Sequence, residues 1–170
     1  MKNVSDEYAY ALYLLALENQ CSEQYLHELN EIEKILLQNP QYITLLDSPM
    51  LPAQERADLV EQAFGSGVSC YVLHFIKVLT EKKMMHLFSK CVAAYSKFYD
   101  ETNEILRVTA VSAVPIQELP MAKLKEKLEK ILGKTVIMTN IVDETCLGGI
   151  ILRFSAEQID GSIKGRLNQL

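Results

Sequence analysis

Four of the chain's seven glycines fall in one segment, LGGIILRFSAEQIDGSIKGRL at 147–167, beside Asp160, Ser162, Lys164 and Arg166. Glycines next to a hydroxyl, an acid and basic side chains are the ingredients of a phosphate cradle or of a nucleophile held on a tight turn. A cradle of the dinucleotide or P-loop kind needs a strand, then glycines, then a helix whose first amides point at the anion. Gly148 and Gly149 lead instead into the β-prone run GIILRF at 149–154, and neither GxGxxG nor GxxxxGK[ST] occurs. Ser162 lacks the flanking glycine of a GxSxG elbow, because position 160 is aspartate. These residues therefore read as architecture. Gly148 and Gly149 suit a tight turn into a strand. Asp160 suits the cap of a closing helix that starts near Gly161, with Arg166 pairing with Asp160 or with an acidic residue of a partner. Gly161 and Gly165, four apart, would give that helix a smooth strip for intradomain packing or for a second helix-docking surface.

No other constellation supports catalysis or metal binding. His27, His74 and His86 fall on different predicted helices, without HExxH and without a cysteine at ligand spacing. Cys21, Cys70, Cys91 and Cys146 are far apart and form no CxxC pair, so they read as reduced thiols. The paired acids at 6–7, 100–101 and 143–144 sit at helix ends or turns, where solvated faces are expected. No cofactor and no enzymatic activity are expected.

The 170 residues are 49% apolar and 23% charged, a balance that permits a buried core and argues against disorder. The net charge of −5 argues against general nucleic-acid binding. The longest apolar run, Tyr8 to Leu17, is shorter than the roughly 20 residues that span a bilayer. Asp6 and Glu7 stand where a secretory signal would be basic, which predicts an intracellular protein.

Two domains are expected, 1–104 and 105–170. In the first, helical patterns are separated by Asn-Pro, Ser-Pro, Leu-Pro and Gly-Ser-Gly breaks. Ser5 should cap the first helix, and a second carries Tyr25, Leu29, Ile32 and Leu36 on one stripe. Asn39-Pro40 should start a third, and Pro52 a fourth that carries Leu59, Val60, Ala63 and Phe64 and ends on a left-handed Gly65. Val68 to Leu79 makes a fifth. Met84 to Asn103 makes a sixth, with Phe88, Cys91, Tyr95, Phe98 and Thr102 inward. The fold class expected is an all-α six-helix N-terminal bundle plus a smaller α/β C-terminal domain. In that second domain Leu106, Val108, Ala110 and Ser112 alternate as a strand. A helix from Pro120 turns Met121, Leu124, Leu128 and Ile131 inward and stops at Gly133, and strands follow at 135–142 and 149–154. Residues 1–104 carry 8 basic and 15 acidic side chains, whereas 105–170 carry 9 and 7. The two halves should face different electrostatic environments or different partners.

Surface rather than chemistry is the unusual feature. The first helix, YAYALYLLAL, is apolar on every side, and the fifth, VSCYVLHFIKVL, nearly so. A helix at the edge of a small bundle should show one apolar stripe. Either both helices lie at the bundle centre, or each gives one face to the core and another to an exposed groove that receives an amphipathic helix. The second reading fits a bundle of this size better.

The elements and their order resemble the delta subunit of F-type ATP synthases, whose mitochondrial counterpart is the oligomycin sensitivity-conferring protein. The resemblance runs over nearly the whole chain. Its marks are Tyr8-Ala9 with Ala11-Leu12, LLDSPMLP at 45–52 and FIKVLTEKKMMHLF at 75–88. In the C-terminal half they are VTAVSAVPI at 108–116, VDETCLGGIILRF at 142–154 and IDGSIKGRLNQL at 159–170. It implies a noncatalytic stator subunit, one copy per complex, peripheral on the cytoplasmic face of a bacterial plasma membrane. The N-terminal domain of such a subunit binds the N-terminal helix of an alpha subunit of the catalytic head. Its C-terminal domain holds the C-terminal ends of the b subunits, so that proton-driven rotation is coupled to ATP synthesis. The resemblance places the alpha-binding groove between the first and fifth helices. Tyr8, Ala11, Leu12 and Leu15 would then form one wall, and Phe75, Ile76, Val78 and Leu79 the other. Gly148, Gly149, Asp160, Gly161, Gly165 and Arg166 would belong to architecture and stalk docking. Relatives often carry glycine and arginine where this chain has Lys83 and Met84, and a basic residue where it has Tyr10. The other reading is a helix-groove adaptor in a different intracellular assembly.

Overall fold

The computed structural model describes residues 3–143 and 149–154, and the backbone of 158–160. The chain divides into two compact units, Met1–Tyr99 and Asp100–Leu170, so the division falls inside a helix rather than at 104/105.

The first unit is built from α1 (Val4–Glu18), α2 (Ser22–Gln38), α3 (Pro40–Leu46), α4 (Ala53–Phe64), α5 (Cys70–Glu81), a short 3-10 turn (Met85–Leu87) and most of α6 (Phe88–Thr102). One apolar cluster draws on all of them. Tyr25, Leu29, Ile32 and Leu36 of α2, Leu46 of α3 and Val60 and Phe64 of α4 are buried with Phe88, Cys91, Val92 and Tyr95 of α6. Buried polar groups tie the helices at chosen points. The Tyr95 hydroxyl donates to the Ser22 carbonyl at 3.0 Å, and that of Tyr42 to the Leu59 carbonyl at 2.9 Å. Asp47, just past α3, accepts from the amides of Met85 and His86 at 2.8 and 3.1 Å, and so caps the turn that leads into α6.

Several local expectations need correction. Asn3, not Ser5, occupies the cap position of α1, and Ser5 is buried within the helix. Asn39 does precede Pro40 at the start of α3, but its side chain donates to the Ile35 carbonyl at 2.8 Å and finishes α2 instead. Gly65 has φ −58°, not a left-handed value, and a Cβ there would meet the Glu61 carbonyl oxygen at 2.4 Å. Close approach explains that glycine. Ala63 and Thr102 are exposed. The turn after α5 is left-handed at Lys83, φ 56°. The Lys83 amide donates to the Thr80 carbonyl and the Met84 amide to that of Leu79, which closes the helix in the usual two-bond manner.

The second unit holds a sheet of order β2-β1-β3-β4, with β1 (Ile105–Ser112), β2 (Thr135–Val142), β3 (Ile150–Arg153) and β4 (Gln158–Asp160). β1 and β2 run parallel and are joined through α7 (Glu118–Leu132), the long crossover that parallel neighbours need. β3 runs antiparallel to β1, and β4 to β3. Among the described residues Val108, Ala110, Val111 and Val136 are its buried apolar side chains. Asn140 braces the sheet: it donates to the Ala110 carbonyl and Ser112 hydroxyl at 2.8 and 2.9 Å and accepts from the Ile116 amide at 3.0 Å. Ile131, expected inward, is 78% exposed, and none of α7 is fully buried, because that helix packs mainly on β2. Among the described residues four strands rather than three are present, β4 being too short for a period-2 signal.

Candidate partner-docking surface

α1 has apolar residues on all sides but only one stripe in the core. Ser5, Ala9, Leu12, Tyr13 and Ala16 are buried, at the three- and four-residue spacing of a single helix face. The Tyr13 ring meets that of Tyr95 edge-on at 5.3 Å and lies 6.1 Å from Phe98. Two apolar flanks remain. Val4, Tyr8, Ala11 and Leu15 share one. Tyr10, Leu14 and Leu17 share the other, where Tyr10 packs its ring edge-on to Phe98 of α6 at 5.3 Å. Val4, Tyr10, Leu14, Leu15 and Leu17 are each between 39 and 49% exposed.

α5 is held by its ends and one side. The Glu28 carboxylate accepts from both the amide and the hydroxyl of Ser69 at 2.8 and 2.7 Å, which seats the start of α5 against α2. Lys77 pairs with Glu61 on the α4 side. Val72, Phe75, Ile76, Leu79 and Thr80 are buried. Val78 lies on the flank away from Lys77, half-buried, with Tyr71 one pair of turns before it and 45% exposed.

The eight residues expected to line a groove thus divide by depth. Leu12, Phe75, Ile76 and Leu79 belong to the core, each 7% exposed or less. Ala11 and Leu15 are exposed, and Tyr8 and Val78 are half-buried. α1 and α5 pack against each other. The surface residues that an incoming helix could touch there are Tyr8, Ala11, Leu15 and Val78. Sequence reasoning passed over Val4 and Tyr71, although each has a spacing signal: Val4 is seven before Ala11, and Tyr71 seven before Val78.

Burial sets the electrostatics of this unit. The Cys91 thiol is pushed up to about 11, chiefly by burial and secondarily by the Asp6 carboxylate. Tyr95 is raised by burial and by the neighbouring tyrosines, and Tyr25 by burial and then by Cys21. All three groups stay neutral, and the buried guanidinium of Arg56, 3% exposed, donates to the Ser48 carbonyl at 3.4 Å. Among the described residues no three of His, Cys, Asp and Glu are grouped to hold a metal ion. Nor is any helix there long and apolar enough to cross a membrane.

In the second unit, Gly149 has φ 88° and precedes β3, a conformation that favours glycine. Asp160 is the last residue of β4, paired with Ile151, and the helix it was expected to cap would begin beyond the described residues. Gly148, Gly161, Gly165, Arg166 and the predicted closing helix lie outside the described residues.

The whole chain resembles proteins of one kind. A family model described as ATP synthase delta (OSCP) subunit matches residues 4–170. "ATP synthase subunit delta" of Clostridioides difficile is 31% identical over 98% of this chain and 93% of its own length. The protein of the same description from Alkaliphilus oremlandii is 32% identical over 96% and 91%. In fold the chain matches one from a Toxoplasma gondii mitochondrial ATP synthase hexamer at TM-score 0.78 and 16% identity, covering 99% of this chain and 95% of that one.

Proposed function

The chain belongs to the ATP synthase delta (OSCP) subunit family, and from that premise we propose that it acts as a noncatalytic strut between the catalytic head and the peripheral stalk. The first unit, a six-helix bundle in this reading, receives the N-terminal helix of an alpha subunit along α1 and α5. The second unit holds the C-terminal ends of the b subunits. The observation that carries the first contact is the apolar surface left beside the core stripe: Ala11 and Leu15 exposed on α1, Val78 half-buried on α5. Burying such side chains under an amphipathic helix removes apolar area from water at about 25 cal/mol per Å². The buried Leu12, Phe75, Ile76 and Leu79 act beneath, as the floor that fixes the two helices.

For the second contact, support comes from α7, whose Leu119 and Ile131 are 76 and 78% exposed. A strut must resist torque without letting go. Two tethers serve that end, because the second contact becomes intramolecular once the first is made. Peripheral attachment on the cytoplasmic face of a bacterial plasma membrane follows from this role. The adaptor of some other assembly is the weaker reading, since relatives matching nearly the full chain are ATP synthase delta subunits.

Calorimetric titration of the full chain with a peptide copied from the alpha N-terminus of the same organism tests the proposal. One-to-one binding is expected, weakened at least tenfold by Val78→Asp or Leu15→Asp, since each forces a carboxylate against apolar surface. Leu12→Asp is unsuitable, because a charge at a 4% exposed position attacks the fold itself. Wild-type affinity in both folded variants would remove the α1–α5 surface from the mechanism.

A further inference from the structure

α1 carries a second apolar surface, which meets the α1–α5 surface at Ala11. On its other flank a cleft of about 430 Å³ opens between α1 and α6, lined by Asp6, Glu7, Tyr10, Ala11, Leu14 and Phe98. Its floor and walls are apolar and its α1 rim is acidic. Tyr10 and Leu14 are 49 and 43% exposed, and Leu17, 41% exposed, extends the same line by another turn. Asp6, half-buried, and Glu7, exposed, stand at the α1 rim of the cleft. α1 has no lysine or arginine to offset Asp6 and Glu7.

We propose that this cleft is a second docking site, for a partner protein's amphipathic helix that sets an aliphatic stripe on Tyr10, Leu14 and Phe98 and a lysine or arginine against Asp6 and Glu7. The spacing favours a helix. Tyr10, Leu14 and Leu17 recur at the i, i+4, i+7 steps along which two helices meet. The charge selects its sign, because opposite charges at the rim steer encounter and fix register while like charges repel. The same two carboxylates disfavour an anionic bilayer surface. Ala11 lines both this cleft and the α1–α5 surface, so α1 becomes a thin ridge with room for a helix on either side. This site is independent of the α1–α5 assignment and can fail or stand without it.

The test uses the full chain and a fluorescein-labelled leucine–lysine amphipathic peptide of about five turns, followed by anisotropy. A leucine–glutamate peptide of the same pattern is the control. Saturable binding of the basic peptide is expected, weakening as salt rises, with no binding of the acidic one. Leu14→Asp should weaken binding at least tenfold, and Glu7→Lys at least threefold, whereas Val78→Asp should leave it unchanged. Glu7 is exposed, so its variant keeps the test alive if Leu14→Asp does not fold by circular dichroism. Several results would overturn the proposal: no saturable binding, equal binding of the acidic peptide, or loss in Val78→Asp with Leu14→Asp and Glu7→Lys unaffected. So would a concentration-dependent dimer abolished by Leu14→Asp in sedimentation, because the cleft would then be covered by a second copy of the chain.

Discussion

α1 and α7 are helices of equal length, 15 residues each, with opposite histories between pattern and burial. By pattern α7 is the orderly one, with Met121, Leu124 and Leu128 on one side and lysines and glutamates on the other, while α1 is apolar all round. By burial the order reverses. Five residues of α1 are buried and none of α7 is. Periodicity reports which face is apolar; it does not report how much protein lies against that face. α1 packs against α2 and α5 and makes ring contacts with α6, whereas α7 has chiefly one strand beneath it. The first unit is built around a core to which α1 gives one face, and the second is a small sheet whose helix keeps Leu119 and Ile131 exposed.

The sharpest way to break this contrast is to cut the same side chain from each region. Leu79→Ala removes a fully buried leucine from the first unit and should cost about 2–5 kcal/mol in chemical denaturation. Leu124→Ala, at a half-buried position of α7, should cost about 1 kcal/mol or less. Equal losses would mean that α7 is packed as tightly as the bundle helices, and the contrast would fall.

Thiol chemistry sharpens it inside the first unit. Cys91 is 1% exposed with its pKa raised to about 11, while Cys70 at the start of α5 is exposed. At pH 8 a maleimide should modify Cys70 quickly and Cys91 only through opening of the unit, as peptide mapping by mass spectrometry can show. The folded-state pKa lies above the thiol's ordinary value of about 9. The neutral thiol's contribution is therefore intact below about pH 9 and is lost as pH climbs toward 11. Stability should fall across that window and fall less in Cys91→Ala. Rapid modification of Cys91 at pH 8 would show that the α6 side of the core is open.

Legibility in the sequence follows the same physics. The stripe of α2, the Asn-Pro start of α3 and the two long strands were readable, because each is written in local spacing. The buried half of the expected groove was not separable from the exposed half. A run such as YAYALYLLAL carries no polar residue to mark where core ends and surface begins. Glu28 and Asp47, which cap elements 41 and 38 residues away, leave no local signature. The α1–α6 cleft was equally hidden, since it depends on Phe98 meeting Tyr10 across the bundle.

The smallest effects concern how the two kinds of helix stop. α7 ends on Gly133 at φ 66°, and α5 on Lys83 at φ 56°, both in the left-handed region. A side chain there crowds the following carbonyl, at a cost of roughly 1–2 kcal/mol, while glycine adopts it freely but loses more backbone entropy on folding. A Cβ at Gly133 would meet nothing within 4 Å, so Gly133→Ala isolates the conformational cost and should destabilise the second unit by about 1 kcal/mol. Lys83→Gly should act the other way, by about 0.5 kcal/mol, because relief of the backbone is offset by the entropy of the new glycine. The sign is the informative part. If Lys83→Gly destabilised the first unit, the lysine side chain itself would be holding the turn into α6, and the strong core would be compensating for less strain at its helix ends than its backbone implies.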